Sequence, residues 1–429
     1  MITRLHLKNF KNFRNATLEL GPLTVLVGTN ASGKSSLRDA FRFIHGMSRG
    51  YNLAEIFGER YTEGVLQWKG IRGGTREVAY RGGNSFQIET TVLVPAEGAE
   101  RGSPNRDRIS HLVAVGISPD NGPAHITDER LLSHMRPEQV YKFRQSSASS
   151  EPHSPQGFLV RVPGDAGDGI YGKQLRFPDS QPVLSQLERH DDVPEFDKKA
   201  LAAYRHHLES MRFLDPSPEA MRRTSFPGQV VLGDRGENLS SVIHAICEDR
   251  EKRHALAEWI NELTPQDVVD FDFVPDQTGK ILLTLVESNG QRTSAYSASD
   301  GTLRFLALIA AILGPDAAGF YFLEELDNGI HPTRLYLLLQ LIEQHAKQGK
   351  VQVVATTHSP QMLAMLSEEA REHASLVYRL GTEPEGRICR IMDIPKARKV
   401  LEEHNLARLH ESGWLENAVA FADSEEASA

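Results

Sequence analysis

One short segment constrains this chain more than any other. LTVLVG, an apolar run too short for a helix, breaks at Gly28 into Gly28-Thr29-Asn30-Ala31-Ser32-Gly33-Lys34-Ser35. Directly after it Leu37, Ala40, Phe41 and Ile44 recur at helical spacing, so SLRDAFRFIHG reads as an amphipathic helix. Strand, glycine turn and helix in that order fit the phosphate-loop pattern. Its backbone N–H groups and helix N-terminus offer partial positive charge to a triphosphate. Lys34 adds a point charge, and the Ser35 hydroxyl suits Mg2+. A chance glycine turn would explain the string but not its two flanks.

A second apolar run, FYFLEE, ends at two adjacent glutamates, followed by LDNGIHP. Phosphate-loop proteins bring a carboxylate to the metal on a strand of this kind. Glu324 suits the metal, directly or through a water, and Glu325 the orientation or deprotonation of an attacking water. Taken alone, two glutamates at a strand end that simply meet solvent would be unremarkable. VQVVATTHS is a further apolar strand with a polar end, placing His358 where it can reach a γ-phosphate oxygen or the attacking water; a lone histidine is more often structural. YSASDGTLRFLALIAAIL sets Ser299, Asp300, Gly301 and Thr302 at the start of a long apolar helix, a second anion-attracting N-terminus or an ordinary Ser/Asp cap.

The rest of the chain is consistent with an α/β protein. TRLHLKNF and NATLEL read as strands, GNSFQIETTVLV as another, and AEGAERGSPNRDR as a polar loop. Residues 145–192, rich in Ser, Gly, Pro and Asp, read as an irregular insertion. PEFDKKALAAYRHHLESMRFL and NLSSVIHAICEDREKRHALAEWINEL each read as one helix, QMLAMLSEEA as another, and the tail DSEEASA as disordered. In the last third strands alternate with helices, which predicts a mainly parallel sheet with covered faces.

At 429 residues, 40% apolar and 24% charged, the composition is that of a globular protein. Two cysteines, Cys247 and Cys389, support neither a disulfide framework nor a zinc site, and point to a reducing compartment, the cytoplasm. The longest apolar stretch, LRFLALIAAILG, is too short for a bilayer and carries Arg304, so no membrane segment is expected. A net charge of −9 gives the whole molecule no attraction to nucleic acid. Basic residues gather at Arg72, Arg76 and Arg81, at Arg101, Arg106 and Arg108, and at Lys396, Arg398 and Lys399. Such runs are usually solvated faces. Non-specific DNA is an expected partner only through such a local patch, with backbone-directed, salt-dependent contacts.

In order, phosphate loop, long middle, SASDGT helix, LEELDNGIHP and TTHS resemble the ATP-binding-cassette ATPases of the RecF, SMC and OLD type, which act on DNA or in antiphage defence. LHLKNFKNF is similar to their N-terminal strand signature, GTNASGKSS to their Walker A loop, FYFLEE to Walker B, DNGIHP to the D-loop and TTHS to the H-loop. The resemblance covers residues 1–50 and 210–395 and implies an α/β fold. The fold it implies is a P-loop NTPase, an ABC-ATPase head with N-terminal antiparallel strands, a mainly parallel central sheet and an inserted α/irregular lobe. The domains expected from it are an N-terminal half of the head at 1–140, an insertion lobe at 141–210, a C-terminal half at 211–395, and a helical extension with an acidic tail at 396–429.

Carried over by position, the resemblance implies that Asn30, Ala31, Ser32, Gly33, Lys34, Ser35 and Ser36 hold the phosphates of ATP, with Ser35 and Glu324 on Mg2+. It puts Lys11 near the α-phosphate or base, Glu325 as catalytic base and His358 as γ-phosphate sensor. Ser299 and Gly301 correspond to a signature motif that reaches ATP bound to the opposite subunit of a homodimer. Three departures stand out. Glu324 replaces the usual Asp, and His331 occupies the usual D-loop Asp position, both as in the OLD-type branch. SDGT lacks the two-glycine signature of transporters. The Q-loop glutamine has two candidates, Gln67 and Gln87. About seventy residues follow His358, without the Glu and Asp-x-Asp constellation of the OLD-type nuclease module, and the middle has no long coiled coil. The expectation is an ATP-hydrolysing dimer that acts as a switch in DNA repair or antiphage defence on a separate nuclease or other effector. The alternatives are a weakly hydrolysing nucleotide-binding scaffold and a transporter motor subunit.

Overall fold

The computed structural model describes residues 1–95, 106–118, 122–133, 140–144, 157–161, 174–187, 190–191, 193, 195–261, 268–381, 383–403 and 406–426. The fold separates into two compact units. The first comprises Met1–Gly21, Gly28–Ser210 and Ser375–Asp393; the second comprises Pro22–Val27, Met211–Ala374 and Ile394–Ala429.

In the first unit β1 (Ile2–Phe10) and β2 (Phe13–Glu19) form an antiparallel hairpin, with Lys8 opposite Asn15 and Phe10 opposite Phe13. Leu5, Leu7, Ala16 and Leu18 are buried while Arg4, Lys8, Asn15 and Glu19 are exposed, the alternation that a sheet covered on one face requires. Strands Ser85–Pro95, Arg106–Gly116, His125–Ser133, Val140–Arg144, Gly157–Arg161 and Gln174–Pro178 extend this sheet outward from β1, antiparallel throughout, to eight strands. The 145–192 insertion is thus less irregular than its composition predicts. FLVR and LRFP within it are short enough to be masked by flanking Ser, Gly and Pro; its residues 145–156 and 162–173 lie outside the described residues. Part of the polar loop AEGAERGSPNRDR, residues 96–105, lies outside them too.

The phosphate-loop helix α1 (Lys34–Ser48) buries Leu37, Ala40, Phe41, Phe43, Ile44 and Met47. Phe43 packs on Phe86 with ring centroids 5.4 Å apart, and Phe86 in turn on Phe10 at 5.3 Å, so an aromatic cluster seats the helix. A buried carboxylate fixes the same unit. Glu129 accepts from the backbone N–H groups of Val183 and Leu184 at 2.8 and 3.1 Å and lies 3.1 Å from His111 Nε2. A charge taken out of water survives only with such partners.

In the second unit four strands run parallel in the order Met211–Leu214, Phe320–Leu323, Gln352–Thr357 and β3 (Leu23–Val27). Every residue of the last three is buried, which is why they read as unbroken apolar runs rather than alternating ones. Helices Asp300–Leu313 and Pro332–Lys347 carry long buried faces. A three-stranded antiparallel sheet, Val268–Pro275, Ile281–Glu287 and Arg292–Ser294, completes the unit with helices Leu239–Cys247 and Arg250–Asn261.

Some helix readings are corrected here. MRFL, read as the end of a long helix, is the strand Met211–Leu214, and the helix stops at Glu209. Three of its four residues are buried, and pairing with Phe320–Leu323 overrides the helical continuation. NLSSVIHAICEDREKRHALAEWINEL breaks into two helices at Glu248 and Asp249, where Asp249 accepts from the N–H groups of Glu251 and Lys252 and so caps the second. QMLAMLSEEA breaks in the same way, with Ser367 capping Glu368–Glu372. The helix Trp414–Glu426 takes up most of the tail read as disordered. Among the described residues no helix is long and apolar enough to cross a membrane.

Candidate functional site

The phosphate loop belongs to the first unit and leaves directly from Val27, the end of β3. Its two key glycines are there for steric reasons. Gly28 has φ +155°, and a Cβ on it would stand 2.0 Å from the Val377 carbonyl oxygen. Gly33 has φ +130°, and a Cβ would meet Asn12 Nδ2 at 2.6 Å and Phe13 Cζ at 2.7 Å. Ser36 and Leu37 N–H both donate to the Gly33 carbonyl, which starts α1 at Lys34. The first-turn N–H groups of a helix have no partner within it, so they suit an anion. Lys34 is buried, with Nζ donating to the carbonyls of Gly28 at 2.5 Å and Thr29 at 3.0 Å. Asn30 and Ala31 are exposed, Ser35 and Ser36 half-buried. Ser32 is buried, and its hydroxyl has no hydrogen-bond partner among the described residues, an orphan of the kind that marks a polar ligand's place.

Lys11 lies in the β1–β2 turn with φ +54°. Its Nζ donates to the Arg72 carbonyl and stands 3.8 Å from the buried carboxylate of Asp39, one turn beyond Ser35 on α1. Burial lowers the Lys11 pKa, partly offset by Asp39. Arg72 ties the same two elements, donating to the Ser35 carbonyl at 2.5 Å and to Asp39 at 3.2 Å. Asn12, which sequence reasoning missed, is wedged against the loop. Its Nδ2 donates to the Ser32 carbonyl at 2.9 Å and its own carbonyl accepts from Gly386 N–H at 2.7 Å. The repeated Asn-Phe of KNFKNF was the signal that could have found it.

The second unit gathers the other candidate residues. Its strand register sets Val27 beside Thr357 and Leu323 beside Ala355, so three parallel strands finish together. The phosphate loop, the glutamate pair and His358 each follow one of those ends. Ligands of open α/β sheets bind outside the carboxyl ends of the strands for this reason. Glu324 is half-buried, its N–H 3.3 Å from the Leu214 carbonyl. Glu325 is exposed and adopts the left-handed φ of +47°. Its N–H donates to Thr356 Oγ1 at 2.9 Å, and its Oε2 accepts from Asn328 Nδ2 at 3.2 Å. Thr357 Oγ1 donates to Asp327 Oδ1 at 2.6 Å and accepts from Ser359 N–H at 2.9 Å. His358 is half-buried between them, and His331 caps the Pro332–Lys347 helix through Nδ1.

Ser299 caps the Asp300–Leu313 helix, its Oγ accepting from Thr302 N–H at 3.1 Å. Arg222 holds the approach to that cap, donating to the carbonyls of Tyr296 and Ala298 and to Asp300 Oδ1 at 3.2, 2.9 and 2.7 Å. Gly301 faces the turn that carries the carboxylates, and a Cβ there would stand 2.5 Å from the Gly329 carbonyl oxygen. Signature and D-loop, nearly thirty residues apart in the sequence, thus touch. Arg222 lies in no motif, and Asn328 and Thr356, which lie in DNGIHP and TTHS, had been given no role of their own.

The two Q-loop candidates lie on strands of the first unit, Gln67 exposed on Val65–Trp68 and Gln87 opposite Lys8. Two of the basic clusters are partly neutralised, Arg72 by Asp39 and Arg398 by Glu372 through two hydrogen bonds; Arg101 lies outside the described residues.

Residues 1–75 match the family model described as "AAA ATPase domain", and residues 173–364 the one described as "AAA domain, putative AbiEii toxin, Type IV TA system". The chain is 21% identical over 384 residues to an "ATP/GTP phosphatase" of Helicobacter pylori, a match spanning 87% of this chain and 89% of that protein. Among solved structures, an SMC head bound to the C-winged helix domain of ScpA is 14% identical with a TM-score of 0.49, covering 90% of this chain and 97% of that one. The SMC head domain of Thermotoga maritima is 13% identical with a TM-score of 0.39, covering 91% and 98%.

Proposed function

We propose that this chain is an ABC-type ATPase of the RecF- and SMC-like group, in keeping with the AAA ATPase models that match two parts of it, and works as a nucleotide-driven switch. Two copies close head to head on MgATP and part after its hydrolysis. The observation that supports this reading is the common finish of three parallel strands of the second unit, each followed in the sequence by one of the phosphate loop, the glutamate pair and the histidine. Lys34 and the first turn of α1 take the β- and γ-phosphates. Ser35 and Glu324, both hard oxygen donors, suit Mg2+, which supplies charge neutralisation on the phosphates. Glu325 takes a proton from the attacking water as the water oxygen bonds to the γ-phosphorus and the bond to the bridging oxygen breaks. His358 donates a hydrogen bond to the γ-phosphoryl oxygens. Ser299 and Gly301 serve the nucleotide of the other copy.

The setting we infer is DNA repair or antiphage defence in the cytoplasm, acting on a separate nuclease or other effector; non-specific DNA is a further candidate partner. Glu324 in place of the usual Asp favours a second reading, a scaffold that binds nucleotide and scarcely turns it over. Glu325→Gln separates the two. It should retain ATP, stop hydrolysis and shift to a dimer on gel filtration with MgATP. A Glu325→Gln protein that stays monomeric with ATP bound refutes the shared site, and a wild-type protein that binds but does not hydrolyse ATP supports the scaffold.

A further inference from the structure

A carboxylate that activates water must be aimed, and an exposed glutamate on a turn has little to aim it. Glu325 is such a residue, and its left-handed φ of +47° is a strained backbone for a side chain of its kind. Such strain persists only where the surroundings over-determine it. Four hydrogen bonds do so here. Thr356 Oγ1 accepts the Glu325 N–H at 2.9 Å, and the Thr356 carbonyl accepts Leu326 N–H at 3.1 Å. Asn328 N–H donates to the Glu325 carbonyl at 2.8 Å, and Thr357 Oγ1 holds Asp327 at 2.6 Å. Thr356 and Thr357 are both buried at the end of an all-buried strand, so the anchor is rigid.

The side chain is aimed separately. Asn328 Nδ2 donates to Oε2 alone, 3.2 Å away. That bond fixes the carboxylate's rotation and leaves Oε1 as the oxygen to receive a proton.

We infer that Asn328 and Thr356 are positioning residues for Glu325, Asn328 orienting its carboxylate and Thr356 holding its backbone. The inference rests on the proposed role of Glu325 as base. The test measures kcat and KM for ATP, with nucleotide titration, on full-length Asn328→Ala, Asn328→Asp, Thr356→Val, Thr356→Ser and Glu325→Gln. Asn328→Ala and Thr356→Val should lower kcat about tenfold with KM for ATP within about twofold, since loss of aim is paid in turnover and not in binding. Thr356→Ser, which keeps the hydroxyl, should restore the rate. Asn328→Asp replaces the donating amide by a group that can only accept, and should lower kcat as Asn328→Ala does.

Wild-type kcat in both Asn328→Ala and Thr356→Val, or a Thr356→Ser as impaired as Thr356→Val, overturns the inference. Glu325→Gln keeps the two levels apart. If it hydrolyses ATP at the wild-type rate, the role of Glu325 itself fails. If it is inactive while the Asn328 and Thr356 variants are not, only the positioning fails. Asn328 is exposed, so its variants remain informative even if Thr356→Val does not fold.

Discussion

Lys34 holds two carbonyls of its own loop, so it reaches a phosphate by exchanging those bonds rather than by filling an empty orbit. Lys34→Ala therefore has two effects. Nucleotide binding should fall at least about a hundredfold, given the 1.5–3 kcal/mol typical of a hydrogen bond to a charged group together with the lost point charge, as a fluorescent-ATP titration would show. The Gly28 and Thr29 carbonyls also lose a donor, so the melting temperature should drop as well. His207 gives a pH prediction at the same scale. Burial, reinforced by the positive amino terminus and His206, pushes its pKa down to about 3. The unfolded chain therefore binds a proton that the folded one refuses. His207 stabilises the fold fully above pH 6.5, and that contribution is lost as the pH falls toward the folded value. Denaturant titrations from pH 7 to 4 should show a slope of up to about 1.4 kcal/mol per pH unit from this group, and His207→Gln should flatten it. The motif strings were legible because they are defined by residue type and spacing. The contacts of Asn12, Asn328, Thr356 and Arg222 were not, because an amide, a hydroxyl or a guanidinium gains a role only when the fold sets it beside a particular partner.

Elements were legible where burial is uniform. β3, Phe320–Leu323 and Gln352–Thr357 are buried on both faces and so read as apolar runs with polar ends. MRFL was lost because four residues cannot display a period, and only pairing with Phe320–Leu323 decides its state. The helix breaks at Asp249 and Ser367 were written in the sequence as cap residues but sat inside longer helical patterns. The loop itself is the least tolerant element. Gly33→Ala would place a methyl within 3 Å of Asn12 and Phe13 in a backbone region that side chains avoid, at a cost of about 2 kcal/mol or more. It should melt several degrees lower and lose ATP binding, and Asn12→Ala in the same chain should recover part of the stability by removing one of the two clashes.

The whole molecule interleaves its parts. The chain changes unit at 21/22, 27/28, 210/211, 374/375 and 393/394, and this was not readable from sequence, since the domain expectation assumed contiguous halves. β3, six residues before the phosphate lysine, supplies a strand of the second unit. A fragment 211–429 lacks that strand and leaves the edge of Gln352–Thr357 without its pairing; circular dichroism and limited proteolysis should find it unfolded or readily cut. Among the described residues no group of three or more His, Cys, Asp or Glu gathers to hold a metal. With the effector a separate protein, as proposed, the purified chain with MgATP should leave plasmid DNA intact on an agarose gel, and cleavage that persists in Lys34→Ala would contradict this.

The abutment of Gly301 on the Gly329 carbonyl has a directional consequence. Two surfaces in van der Waals touch resist being squeezed far more stiffly than being parted. A load that drives the head of the Asp300–Leu313 helix toward the aspartate-asparagine-glycine bend is therefore felt there at once, whereas a load that draws it away is met mainly by the 3.3 Å hydrogen bond from Arg334 to Thr302 close by, and the junction behaves as a stop rather than a spring.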